Sequence, residues 1–427
     1  MREFFGGVPT RERRLLLGAM LLGAAVALAY IALTEPSKLR GDEVDYHYAA
    51  SQFADGNLWW SDRPFGVPHA SAWKAPVYTA FSGVFYAVFG DFPSRLVVAQ
   101  AVLLAPLTVF LTWLLGRRMF GPRTAVASAY GIALFPLSWE WFGLLYAETL
   151  AIPLTTLALL LIFGWRPTTR LALLAGAVIG ITLLVRPTSM FLIPVAGVAW
   201  MFVAGWRRGL GLTAVAVAAA VLVVVPWTIR NYVVTDGGFI PISVQDAAAY
   251  GTFNEESASD PEDPYAWRAR LQDMPAVLEG PPVDDATLRS EAMAVAVDYI
   301  KDHPDSVPKA IFWNGIIRLW DLRSPSKALD EAPFQGRVEG VTAVGLGMYY
   351  LVGALALLTL WRLRRRRDLV LPLLAMVASM AVIFSVVSGT RYRAPVAPLL
   401  VVLAAGYLVG RREDPESSGM FSVSRTT

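Results

Sequence analysis

The chain has 427 residues, 55% of them hydrophobic and only 17% charged, against about 25% charged in an ordinary soluble domain, so the apolar surplus belongs in lipid. It contains no cysteine, which excludes disulfides, thiolate catalysis and Cys-ligated metals. The formal net charge is only +3, and the basic residues fall in short clusters of the kind that orient membrane proteins rather than in a nucleic-acid-binding surface.

Residues 1–14 form a short basic head with Arg2, Arg11, Arg13 and Arg14. Residues 15–33 follow as an uncharged run long enough to cross a hydrocarbon core of ~30 Å, and they read as the first transmembrane helix. The run is long for a signal peptide and has no small-residue cleavage site, so its head is assigned to the cytoplasm. Further apolar runs lie at 96–115, 124–140, 146–163, 170–185, 188–204, 211–227, 342–361, 369–387 and 394–410. If each run crosses once, the clusters Arg117-Arg118…Arg123, Arg166…Arg170, Arg207-Arg208, Arg362…Arg367 and Arg411-Arg412 all share the side of the N-terminus. The positive-inside rule requires that agreement. The expected fold is therefore an all-α polytopic membrane protein with about 10 transmembrane helices.

Counting Ala75–Phe89 as a further span would put every later basic cluster outside. This apolar and aromatic stretch is only 15 residues long, and it is assigned an interfacial or re-entrant course. Two extracytoplasmic segments are then expected, at 34–95 and 228–340, with transmembrane helices at 96–227 and 341–410 and a cytoplasmic tail at 411–427. The first segment holds an acidic stretch and the aromatic-rich Trp59-Trp60…Trp73-Lys74. The second carries 19 Asp or Glu against 9 Lys or Arg between Tyr232 and Gly340. Its middle, Asn254 to Pro282, has the composition of a loop, and apolar residues at helical spacing from Asp284 to Trp320 predict two amphipathic helices.

The residues suited to chemistry begin with Asp42, Glu43 and Asp45, three carboxylates in four positions just beyond the first span, beside Tyr46 and His47. One reading makes them helix-capping groups that satisfy free backbone N–H groups. Another makes them a general base acting on a substrate hydroxyl. The same groups are compatible with a divalent cation, Mg or Mn, although no second ligand cluster accompanies them. Five basic residues lie at outward helix ends, where the positive-inside rule predicts few: Lys74, Arg186, Arg230, Arg391 and Arg393. Each alone could snorkel to lipid headgroups. Together they suit a phosphate, because guanidinium groups match phosphate oxygens bidentately. A general base and a phosphate clamp on one face suggest transfer from a lipid phosphate. A transporter or flippase of lipid-linked sugars is the alternative, but it calls for internal repeats and ionisable residues along a path. Mid-span charge is sparse, Glu140 and Glu148 at most, and no repeat is visible.

Gly41-Asp42-Glu43 with Tyr46 and Ala49 resembles the Asp-Glu signature in the first outer loop of the GT-C membrane glycosyltransferases, in the branch of protein O-mannosyltransferases and aminoarabinose transferases. Lys74-Ala75-Pro76-Val77-Tyr78 is similar to that branch's Lys-Pro-Pro-x-Tyr segment, with Ala75 in place of one proline. Arg95 with Gln100, Gly116 to Gly121, Glu148 and Leu184 to Thr188 also resemble it. The most specific stretches are Pro226 to Tyr232 and Arg391-Tyr392-Arg393-Ala394-Pro395-Val396. The resemblance implies a polyprenyl-phosphate-linked sugar as donor, used on the extracytoplasmic face, and transfer with inversion to a hydroxyl of a glycan, lipid or protein. It further implies that Asp42 deprotonates the acceptor, that Glu43 positions it or the sugar, and that the basic residues stabilise the departing phosphate, with Asp45, Tyr46, His47, Tyr78 and Tyr392 as accessory groups. Metal dependence is left open by the resemblance.

Overall fold

A computed structural model gives the fold and describes residues 8–36, 38–63, 66–268 and 284–410. The expected tail at 411–427, with Arg411 and Arg412, lies outside the described residues, as do Arg2 and residues 269–282 of the expected loop. Every one of the ten apolar runs is helical over most of its length. The helices that matter below are α1 (Thr10–Ile31), α2 (Asp42–Ala54), α3 (Pro76–Phe89), α4 (Pro93–Phe120), α5 (Pro122–Ala133), α6 (Glu148–Phe163) and α7 (Thr169–Val185). They continue with α8 (Leu192–Ala204), α9 (Trp206–Val234), α10 (Asp285–Asp302), α11 (Pro325–Phe334), α12 (Glu339–Arg362), α13 (Arg367–Ile383) and α14 (Ala397–Val409). The sole sheet among the described residues is a two-residue antiparallel ribbon pairing Trp60 with Ala70 and Ser61 with His69.

Six stretches of the described residues are long and apolar enough to cross a bilayer: α1, α4, Pro187–Ala204, α9, α12 and Thr390–Val409. The remaining runs yield shorter helices for local reasons. The run at 124–140 breaks at Phe135, whose extended backbone (φ −85°, ψ 104°) is what a following proline, Pro136, favours. Helix α3 has 14 residues. At 1.5 Å per residue it measures about 21 Å, short of a hydrocarbon core of ~30 Å. It lies instead against α2, so closely that a Cβ on Gly83 would meet Phe53 at 2.6 Å.

Small residues let the bundle close. Gly176 and Gly180 of α7 face Ala216 and Ala220 of α9, and a Cβ added to Gly176 would lie 2.1 Å from the Ala216 carbonyl oxygen. Such small-xxx-small faces replace the hydrophobic drive that helices lack in lipid. The main core, with Trp113, Phe135, Phe163, Trp200 and Leu399, runs through α4, α5, α6, α8 and α14. Glu12 of α1 pairs with Arg117 at the end of α4 (2.9 Å), which brings the N-terminal head and the 117–118 cluster to one end of the bundle.

The two polar segments, 34–95 and 228–340, pack on each other. The Val244 N–H donates to the Ala72 carbonyl (3.0 Å), and Asp285 reaches Ser71 and Ala72. The amphipathic pattern of 284–320 yields α10 and then a helical arm, Ser306–Arg318, separated at Pro304. The arm widens to π turns over Ile311–Arg318, where Gly315 sits against the α13 backbone at Ala381.

Candidate functional site

The acidic stretch forms the first turn of α2. Its entry turn depends on Gly41, which is left-handed at φ 55°; a Cβ there would fall 2.8 Å from the Tyr146 hydroxyl. The three carboxylates favour the positive end of the helix dipole, yet no side chain caps it. Successive helical residues turn by about 100°, so Asp42, Asp45 and Tyr46 share one face while Glu43 and His47 point elsewhere.

On the shared face, Asp42 is clamped by two cations. Lys74 Nζ lies 3.1 Å from Oδ1, and Arg391 Nη1 lies 2.6 Å from Oδ2. Lys74 also reaches Asp45 Oδ2 (3.4 Å), while Arg63 pairs with the other Asp45 oxygen (2.6 Å). Behind Arg391 stands Glu148, 3.8 Å from its Nε and itself paired with Arg186. Aromatic rings wall the cluster. Lys74 lies over Tyr46 (5.0 Å), Arg186 and Arg391 lie over Tyr392 (4.7 and 4.9 Å), and Arg391 also faces Tyr146 (5.6 Å). Four cations therefore meet three carboxylates, which leaves the cluster one positive charge in excess. Asp42 keeps 28% of its side chain exposed, so the clamp is reachable.

Burial pushes the Asp42 carboxyl up, but the Lys74 and Arg391 cations outweigh it and hold the group well below the usual carboxylate range. Burial lowers Lys74 in turn, and Asp42, Tyr46 and Asp45 more than reverse that, so its ammonium titrates above the ordinary lysine value. Asp42 is ionised at any physiological pH.

Other predicted site residues do not join this cluster. Glu43 turns inward, where its two oxygens accept the Leu145 N–H (2.9 Å) and the Arg40 N–H (3.1 Å). Burial raises it to about 7 despite those bonds. His47 faces the hydroxyl of Tyr86 (3.1 Å) and Asp91 (3.4 Å). Tyr78 packs edge-on against Tyr46 and donates to Gln100 (2.8 Å), whose amide bonds the Phe142 and Leu144 carbonyls. It therefore supports α2 from behind. Arg230 lies over Trp227 and donates to the Ser71 carbonyl (2.7 Å), tying α9 to the first polar segment. Arg393 is buried and pairs with Asp321 (2.5 Å). Sequence reasoning missed Tyr146, Asp285 and Asp321, because the partners that tie them to the site, Arg391, Ala72 and Arg393, lie far away in the chain. Among the described residues no three His, Asp or Glu side chains converge as metal ligands, and Lys74 already bridges Asp42 and Asp45, so the donor set does not fit a divalent ion.

The comparisons agree with this architecture. Residues 73–229 match the family of dolichyl-phosphate-mannose-protein mannosyltransferases. No curated protein matches the chain in sequence. Among solved structures, the archaeal oligosaccharyltransferase AglB of Archaeoglobus fulgidus, in complex with an inhibitory peptide and a dolichol-phosphate, is 17% identical over 93% of this chain and 50% of its own, with a TM-score of 0.55. The same enzyme tethered to an acceptor peptide gives 16%, 95%, 50% and 0.54. ArnT of Cupriavidus metallidurans, bound to undecaprenyl phosphate, gives 15% identity over 92% of this chain and 78% of its own, with a TM-score of 0.41. The chain thus spans half the length of the oligosaccharyltransferase it matches. The likeness to AglB and the six membrane-length helices define the class: a multi-pass membrane protein with the GT-C fold.

Proposed function

We propose that this protein transfers a sugar from a polyprenyl-phosphate-linked donor to a hydroxyl acceptor, with inversion at the anomeric carbon, at the extracytoplasmic face of the membrane. The observation that carries the reading is the Asp42 carboxylate held between Lys74 and Arg391 in a cluster with one cation in excess. A phosphate needs such cations, and a hydroxyl nucleophile needs such a carboxylate. The dolichol-phosphate bound by AglB supports the same assignment.

With the site empty of donor, Asp42 itself neutralises the two cations. The donor phosphate competes for Lys74 and Arg391, with Arg186 behind them, and takes over part of their charge. Asp42 thereby regains basicity, because its low affinity for a proton is due to those same cations. It then accepts the acceptor's hydroxyl proton while that oxygen bonds to the anomeric carbon. The bond from that carbon to the phosphate oxygen breaks, and its electron pair leaves with the polyprenyl phosphate. Charge grows on the departing phosphate, so fixed cations stabilise the transition state more than the ground state. Glu43 holds the entry turn of α2 to the 144–145 backbone, and Arg393 holds the 390–396 turn; both act as positioning residues.

The test incubates the purified full-length protein with radiolabelled polyprenyl-phosphate mannose, glucose, arabinose or galactose and cell-envelope acceptors, with and without divalent metal, beside Asp42→Asn. Release of sugar from one donor by the wild type alone supports the reading. Donor left intact while the lipid-linked sugar crosses the membrane would replace it with transport.

A further inference from the structure

The chain stretches that carry the two cations on Asp42 are each held by a carboxylate of the second polar segment. Lys74 ends the strand of chain 69–74, and Asp285, at the start of α10, grips that strand at three points. Its Oδ2 accepts the Ser71 hydroxyl (2.7 Å) and the Ala72 N–H (2.5 Å), and its Oδ1 lies 3.3 Å from His69 Nε2. Only 1% of the Asp285 side chain is exposed. A carboxylate that deeply buried is retained only where several donors meet it. Arg391 lies in the turn Thr390–Val396, and Asp321 grips that turn through Arg393 (2.5 Å). Asp321 is fully buried and adopts φ 47°, a strained backbone for a residue with a side chain, held in place by its surroundings. Glu331 on α11 adds a bond from the Thr390 N–H (3.4 Å).

We infer that Asp285 and Asp321 are positioning residues that set the clamp on Asp42, Asp285 through Lys74 and Asp321 through Arg391. The inference rests on the proposed role of Asp42, and it makes the 284–334 region part of the site without any of its side chains touching Asp42. Whatever displaces α10 or the 321–331 stretch changes the charge around Asp42.

The experiment reads that charge directly and needs no catalysis. Full-length protein carrying 13C-labelled aspartate is titrated by infrared or NMR, and the Asp42 signal is assigned by its loss in Asp42→Asn. The groups facing it are Lys74 and Arg391 and the phenols of Tyr46 and Tyr146, with Asp45 and Arg63 beyond Lys74 and Glu148 and Arg186 beyond Arg391. In the wild type the signal stays ionised to the lowest pH at which the protein remains folded. In Asp285→Asn or Asp321→Asn the midpoint rises by about 1–3 pH units, the size of losing one adjacent cation. Ser71→Ala removes a single bond to Asp285 and gives a smaller rise in the same direction, should the aspartate variants not fold. Asp284→Ala removes the exposed cap of α10 and serves as the control for general destabilisation. An unmoved midpoint in the Asp285 and Ser71 variants, or an equal rise in the Asp284 control, overturns the inference. Absence of sugar transfer by the wild type would reject the proposed function while leaving this readout intact.

Discussion

Arg391 and Arg393 stand two residues apart in one turn, and they serve two regions built on opposite principles. Arg391 keeps 19% of its side chain exposed and meets a partly exposed carboxylate, Asp42, in a cluster whose charges do not cancel. Arg393 keeps 4% and meets Asp321, which is wholly buried, beside Arg323 and the Tyr349 ring. The buried region extends through Arg337, which pairs with Glu140 (3.7 Å) and donates to Thr390 (3.0 Å). A buried, paired charge has nowhere to go, because separating it leaves an unsolvated ion. A reachable pair with surplus charge can exchange its partner for a ligand. The exposure of the Asp42–Arg391 pair and the surplus charge around it, more than residue type, separate the site from the scaffold.

The largest expected effect lies in the reachable region. Asp42→Asn is nearly isosteric and removes the base, so turnover should fall by on the order of 10²–10⁴-fold while the melting temperature stays close to that of the wild type. A variant with wild-type turnover would show that the cluster has no base in it.

Arg393→Met should do the reverse. It leaves Asp321 only its longer contact with Arg323 (3.5 Å), so stability should drop by up to about 3–5 kcal/mol, measured by thermal or chemical unfolding in detergent. If Arg393→Met unfolds no more easily than Arg391→Met, the contrast between the two regions fails.

Arg391→Ala is milder. It removes one charge-assisted contact worth about 1.5–3 kcal/mol, so affinity for a polyprenyl phosphate should weaken roughly 10- to 100-fold with the fold retained. Equilibrium binding at two salt concentrations would sharpen the result, since a reachable ion pair is screened and a buried one is not.

The smallest effect concerns Glu43, whose carboxyl is raised from 4.5 to about 7 by burial. A carboxyl raised on folding adds stability that is complete below its ordinary value and lost as pH rises through the raised one. Glu43→Gln cannot ionise. The stability difference between the two proteins should therefore shift toward the variant as pH climbs from about 4.5 to about 7 and level off above that. A flat difference across this window would place Glu43 in a wetter setting than its bonds to Leu145 and Arg40 imply.

Much of the architecture was legible because its causes are local. Apolar runs, proline breaks and basic clusters depend on lipid solvation of neighbouring residues, so each run became helical over most of its length, and α3 proved as short as its 14 residues require. The acidic stretch also announced itself, as did Lys74 and Arg391. Its members then parted company. Read as a cluster of five, Asp42, Glu43, Asp45, Tyr46 and His47 became a helix whose 100° turn sends Glu43 and His47 away from Asp42.

What the sequence by itself determined is where the apolar helices fall and that a charged cluster lies between them, since hydrophobic length and helical period act within a few residues. Which cation meets which carboxylate was decided by tertiary structure alone. Arg391 lies 349 positions from Asp42, and Asp285 lies 214 from Ser71, so only the packing of the bundle brings them within hydrogen-bond reach. Once there, burial decides which pairs are locked and which remain open to a ligand.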